Sequence, residues 1–162
     1  MEKTDRIRSY FCQLVLNVPK QEFLGNTIII AKVMEILVKA IGMQCVDDNG
    51  PRIDILDSPI PGMPSVSANQ PLKTSIASGD TWPEYRRIIL FIHSCQDFLE
   101  LCPEAIRQIE QFLNATLIQA VYADLCEQET TFDLEATKHW SLNLTKRTWT
   151  QYRCVPAAPG EL

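Results

Sequence analysis

Glycine is sparse in this chain, and its six glycines (Gly25, Gly42, Gly50, Gly62, Gly79 and Gly160) all stand alone. Loops that cradle phosphates cluster glycines so that several backbone N–H groups can approach one ligand, so Walker and dinucleotide-binding motifs are excluded. Histidine is scarcer still, and an imidazole-based acid–base or nucleophile–base mechanism has only His93 and His139 to use. The six cysteines (Cys12, Cys45, Cys95, Cys102, Cys126 and Cys154) include no C-x-x-C pair. The nearest approach to a metal motif, His93 and Cys95 with Cys102, falls short of the four ligands a structural zinc needs. The sequence therefore assigns no catalytic, cofactor-binding or metal-binding residue.

Long uncharged apolar runs are missing too. The most apolar stretch, 24–46, is interrupted by Lys32, Glu35 and Lys39, which argues against a membrane span. No basic segment, apolar run and small-residue cleavage site open the chain as they would in a secretory signal. With cysteines lacking the spacing of a disulfide framework, the expectation is free thiols in a reducing, cytoplasmic compartment.

What is present suits one folded domain. The chain has 162 residues, 46% hydrophobic and 22% charged, enough to bury a core without staples. Apolar residues cover nearly every side of a helix over 19–41, and Gly42 stands where a C-terminal cap belongs. Thr81, Pro83 and Glu84 read as the start of a second helix over 82–101, with Tyr85, Ile88, Ile89, Ile92, Cys95 and Leu99 as its buried stripe. Pro103 opens a third over 103–126. Residues 7–18 fit a helix and a strand equally well. Small antiparallel β-elements are expected around 43–56, turning at Asn49-Gly50, and over 138–155, turning near Lys146-Arg147. The prolines and small residues of 57–80 read as a loop or internal linker, and 156–162 as a frayed tail. The expected class is α+β and helix-rich, with an all-α five-helix bundle as the alternative.

Charge is segregated along the chain. From Asp97 to Glu135 nine acids face a single base, Arg107, whereas 136–160 holds no acid. In that last stretch Lys138, Lys146, Arg147 and Arg153 accompany Trp140, Trp149 and Tyr152. Trp, Tyr and Arg are the usual anchors of protein interfaces, and bases interleaved with aromatics also suit nucleic acid. A plain structural use exists as well, with the tryptophans on the core and the cations neutralising acids of the same chain. The functional expectation is a non-enzymatic scaffold, adaptor or structural protein that binds a protein partner or a second copy of itself through Lys138, Trp140, Lys146, Arg147, Trp149, Tyr152 and Arg153 together with the acidic helical region. Nucleic-acid binding through the same segment is the alternative, disfavoured by a net charge of -5.

Overall fold

The computed structural model describes residues 7–127 and 137–152. Eight strands form one antiparallel sheet: β1 (Ile7–Asn17), β2 (Arg52–Leu56), β3 (Ser65–Leu72), β4 (Ser75–Trp82), β5 (Arg87–Ser94), β6 (Thr116–Glu127), β7 (Lys138–Asn143) and β8 (Thr148–Tyr152). Their order across the sheet is β2-β3-β4-β5-β1-β6-β7-β8. Two helices, α1 (Thr27–Ala40) and α2 (Cys102–Leu113), pack on each other and bury their apolar stripes against one face. Ile30, Val33, Met34 and Leu37 of α1 meet Leu14, Leu16, Leu90 and Ala77 of the strands, with Ala105, Ile106 and Ile109 of α2 completing the core.

The architecture is α+β but dominated by its sheet, which overturns both the helix-rich expectation with three helices and the all-α bundle. Residues 82–101 are not a helix. The run Ile88-Ile89-Leu90-Phe91-Ile92 satisfies helical and alternating periods alike, and its β-branched content favours the strand. Ile88, Leu90, Ile92 and Ser94 point into the core while Arg87, Ile89, Phe91 and His93 point away from it. Thr81, expected as an N-cap, instead accepts the Val66 N–H through its Oγ1 at 2.7 Å. The helix expected over 103–126 stops at Leu113, because Asn114 takes the left-handed conformation (φ 48°) that asparagine tolerates, and β6 follows.

Residues 57–80 are likewise no linker, since they contain β3 and most of β4. Val66, Ala68, Gln70 and Leu72 alternate into the core. Pro71 fits because β2 pairs only as far as Asn69, leaving the proline outside that ladder. The helix expected from 19 begins at Thr27, where the Asn26 side chain caps the Ile28 and Ile29 N–H groups. Gly42 does follow its C-terminus, at φ +71°. No hairpin forms at Asn49-Gly50: β2 pairs with β3, and Cys45 bridges to Leu72. The alternation after 138 does form a hairpin, β7–β8, with Lys146 and Arg147 in its turn. The expected tail lies outside the described residues.

Gly79 marks where α1 seats on the sheet. A Cβ there would stand 2.9 Å from Leu90 Cδ2 and 3.2 Å from Met34 Sδ, both locked in the core. Gly79→Ala is expected to cost about 1–3 kcal/mol by overpacking. Urea melts check this, and an unchanged midpoint would mean that α1 is free to shift.

Candidate functional site

Antiparallel pairing places directly opposed residues on the same face of a sheet. One rung crossing β4, β5, β1, β6 and β7 reads Ser75, Ser94, Tyr10, Asp124 and Lys138. The neighbouring rung reads Ala77, Ile92, Cys12, Tyr122 and Trp140 and belongs to the core. The polar rung thus closes one end of the core, on the face that carries the helices. Ser94 and Asp124 are buried, Ser75 and Tyr10 half-buried and Lys138 exposed.

The rung is chemically polarised. At its hydroxyl end, Ser75 Oγ donates to Ser94 Oγ at 2.9 Å, and the Gln96 N–H donates to the same oxygen at 2.9 Å. With two hydrogen bonds already arriving, the Ser94 hydroxyl has its own proton to direct elsewhere. Thr74 Oγ1 lies 3.3 Å from Ser75 Oγ and extends the hydroxyl chain outward. At the acid end, Arg8 Nη1 donates to Asp124 Oδ2 at 2.7 Å, while Asp124 Oδ1 is buried with no partner among the described residues. Desolvating a carboxylate oxygen without a donor is costly, so an orphan of this kind calls for an explanation. Between the two ends, Tyr10 has its phenol pKa raised by burial and by the charges of Asp124 and Asp97, and stays protonated at neutral pH.

Tyr122 supports the rung from beneath. Its hydroxyl donates to Asp97 Oδ1 at 2.7 Å and accepts the Phe98 N–H at 3.1 Å, pinning the segment that leads into α2. Its ring meets Phe98, Trp140 and Trp149 edge-on at 5.0, 5.7 and 6.1 Å and lies 6.3 Å from Tyr10. Elsewhere, a groove of about 850 Å³ runs beside α1, lined by Lys32, Glu35, Met43, Cys45 and Asp47 among others, and does not include the rung. No group of three metal-ligating side chains occurs among the described residues.

The comparisons with known proteins bear on this architecture. No family model and no curated protein matches the sequence. Among solved structures, the adenosylmethionine decarboxylase from Aquifex aeolicus superimposes with a TM-score of 0.50 at 15% identity, over 70% of this chain and 89% of that one. The fold is one that an enzyme uses. With the sheet-dominated architecture, that likeness corrects the expectation of a helical scaffold or adaptor toward a fold found in an enzyme family, and it neither establishes nor excludes catalysis here.

The basic-aromatic residues singled out from the sequence are dispersed by the hairpin. Trp140 and Trp149 turn toward Tyr122 and are half-buried against the core. Lys138 and Lys146 are exposed, and Arg147 donates to Glu110 Oε1 of α2 at 2.9 Å, joining the basic segment to the acidic one within the chain. Tyr152 packs beside His139 at 5.6 Å, and Arg153 lies outside the described residues. His93 is exposed on the face away from the helices. Cys95, expected in the core, is exposed. No helix among the described residues is long and apolar enough to cross a membrane.

Reading the sequence as helices hid the rung entirely. Its members lie at 10, 75, 94 and 124, and only strand pairing brings them together. The signal that could have found them was the alternation of Ala77, Gly79 and Thr81 after Ser75, in register with Ile88, Leu90 and Ile92 before Ser94.

Proposed function

We propose that this chain is an enzyme of the decarboxylase type, acting at the polar rung on an amino acid that carries a cationic group remote from its carboxylate. The observation that carries the reading is the polarisation of the rung, with a hydroxyl donor at Ser94, oriented by Ser75, and an unpartnered buried carboxylate oxygen at Asp124. Strands lie about 4.8 Å apart, so Ser94 and Asp124 are separated by about 10 Å, the span of a substrate whose two charges sit at opposite ends. The hydroxyls suit a carboxylate and Asp124 suits an ammonium, guanidinium or sulfonium centre. The fold's likeness to an adenosylmethionine decarboxylase supports the reaction class.

Loss of CO2 from an α-amino acid leaves an electron pair on Cα, and a carbonyl-type group bound between the two ends of the rung and conjugated to the nitrogen would supply the acceptor for it. Around that step the chain's own residues hold and protonate. Ser94, oriented by the hydrogen bond from Ser75, holds the carboxylate, Asp124 anchors the cation, and the phenol of Tyr10, kept protonated, supplies the proton that replaces CO2.

Thermal melts with millimolar ligands test the recognition. Adenosylmethionine, arginine and lysine are expected to raise the melting temperature and glutamate to leave it unchanged. Asp124→Asn should weaken the cationic ligands about tenfold or more, since it removes the charge from the anchoring hydrogen bond. Equal shifts with glutamate, or no shift with any cation, would remove the rung as the binding site.

A further inference from the structure

Cys12 and Cys102 face each other between the sheet and α2, with their Sγ atoms 4.0 Å apart. Cys12 lies on β1, two residues from Tyr10 on the same face, and Cys102 is the first residue of α2. Both are buried, at 0% and 1% exposure, and the proposed chemistry uses neither.

We propose that these two thiols form a reversible intramolecular disulfide that clamps the start of α2 onto β1 beside the polar rung. This inference does not rest on the decarboxylase reading. A disulfide needs its sulfurs about 2.0 Å apart, so they must close by about 2 Å. The local structure permits that movement. α2 has no side-chain N-cap, and a short 3-10 turn, Leu99–Leu101, leads into it. Cys102 Sγ lies 3.4 Å from the Phe98 carbonyl oxygen, a weak interaction whose loss costs little.

The balance needs a two-electron oxidant. With diamide, the Cys102 thiolate adds to the azo bond, the Cys12 thiolate displaces the resulting hydrazine at sulfur, and two protons and two electrons pass from the thiols to the reagent. The Cys102 thiol beside it and burial both hold the Cys12 thiol well above the ordinary range. Reaction therefore requires local opening of the Phe98–Cys102 segment and accelerates toward alkaline pH. Among the described residues, exposed Cys95 and half-buried Cys45 meet the reagent before Cys12 and Cys102.

The experiment treats the native full-length chain with diamide at pH 8, alkylates the remaining thiols and maps the peptides by mass. The expected product is a Cys12–Cys102 linked peptide, removed by dithiothreitol, together with a melting temperature raised by about 5–10 °C because the bridge closes a long loop. Tryptophan fluorescence should change as well, since Trp140 and Trp149 pack on Tyr122, which the Phe98 backbone holds. Recovery of Cys12 and Cys102 as separately alkylated peptides after Cys95 has fully reacted would overturn the proposal, as would bridges confined to other cysteines. The wild-type map decides between these outcomes without relying on the folding of a core variant. Where Cys102→Ser folds, by circular dichroism, it should lose both the linked peptide and the rise in melting temperature.

Discussion

Tyr122→Ala is expected to destabilise the fold by about 3–5 kcal/mol, the usual cost of deleting a buried aromatic ring. In a chain of this size that lowers the melting temperature by about 10 °C or more. The ring is fully buried and touches four aromatic neighbours, and its hydroxyl satisfies both Asp97 and the Phe98 N–H. Tyr122→Phe keeps the ring and orphans those two partners, for about 1–3 kcal/mol. The pair of variants separates packing from hydrogen bonding, and equal losses would show that the ring's packing contributes little. The same hydroxyl sets an alkaline limit. Burial above all, then the hydrogen bond and charge of Asp97, raise the Tyr122 pKa well above the ordinary phenol value of 10.0 and outweigh the opposing Phe98 N–H. The folded state keeps this proton after the unfolded state has lost it. The stabilisation is therefore complete below pH 10 and declines as the pH rises beyond it. Denaturant melts from pH 9 to 11 should show a shallower decline for Tyr122→Phe than for the wild type.

Ser75→Ala is expected to lower kcat/KM about 100-fold while leaving stability within about 1 kcal/mol. The hydroxyl is half-buried at the start of β4, so its removal leaves no core cavity. Ser75 acts through Ser94: the Ser94 oxygen accepts the Ser75 proton, which leaves the Ser94 proton directed at the substrate carboxylate, and that orientation is lost in the variant. A hydrogen bond to a charged group contributes about 1.5–3 kcal/mol, which is the origin of the factor. Steady-state kinetics check the split: the loss belongs in kcat/KM, and an unchanged kcat/KM would place the reacting centre away from the hydroxyl end.

Local signals in the sequence carried some of this structure and not the rest. Gly42 ends α1 because a left-handed residue must follow the helix, and the alternation after Lys138 became the β7–β8 pair. The central strands were misread for one physical reason. A buried strand flanked by β-branched residues on both faces, such as 87–94, satisfies helical spacing as well as alternation, and capping residues at Thr81 and Glu84 tilted that balance the wrong way. Asn114 was the missed break. Its left-handed turn ends α2 after Leu113, and the Thr116, Ile118 and Val121 beyond it are strand formers. Asp124 stands in the sequence as one of nine acids in an anionic stretch, whereas strand pairing buries it beside Tyr10. A site whose members are contributed by four strands has no local motif to display.

The most direct measurement is the release of labelled CO2 by the wild-type chain from carboxyl-labelled adenosylmethionine, arginine and lysine, with glutamate as the anionic control. The account predicts release from at least one cationic substrate, none from glutamate, and loss of release in Ser75→Ala and Asp124→Asn. Absence of release from every cationic amino acid that binds, or release that both variants retain in full, would contradict it.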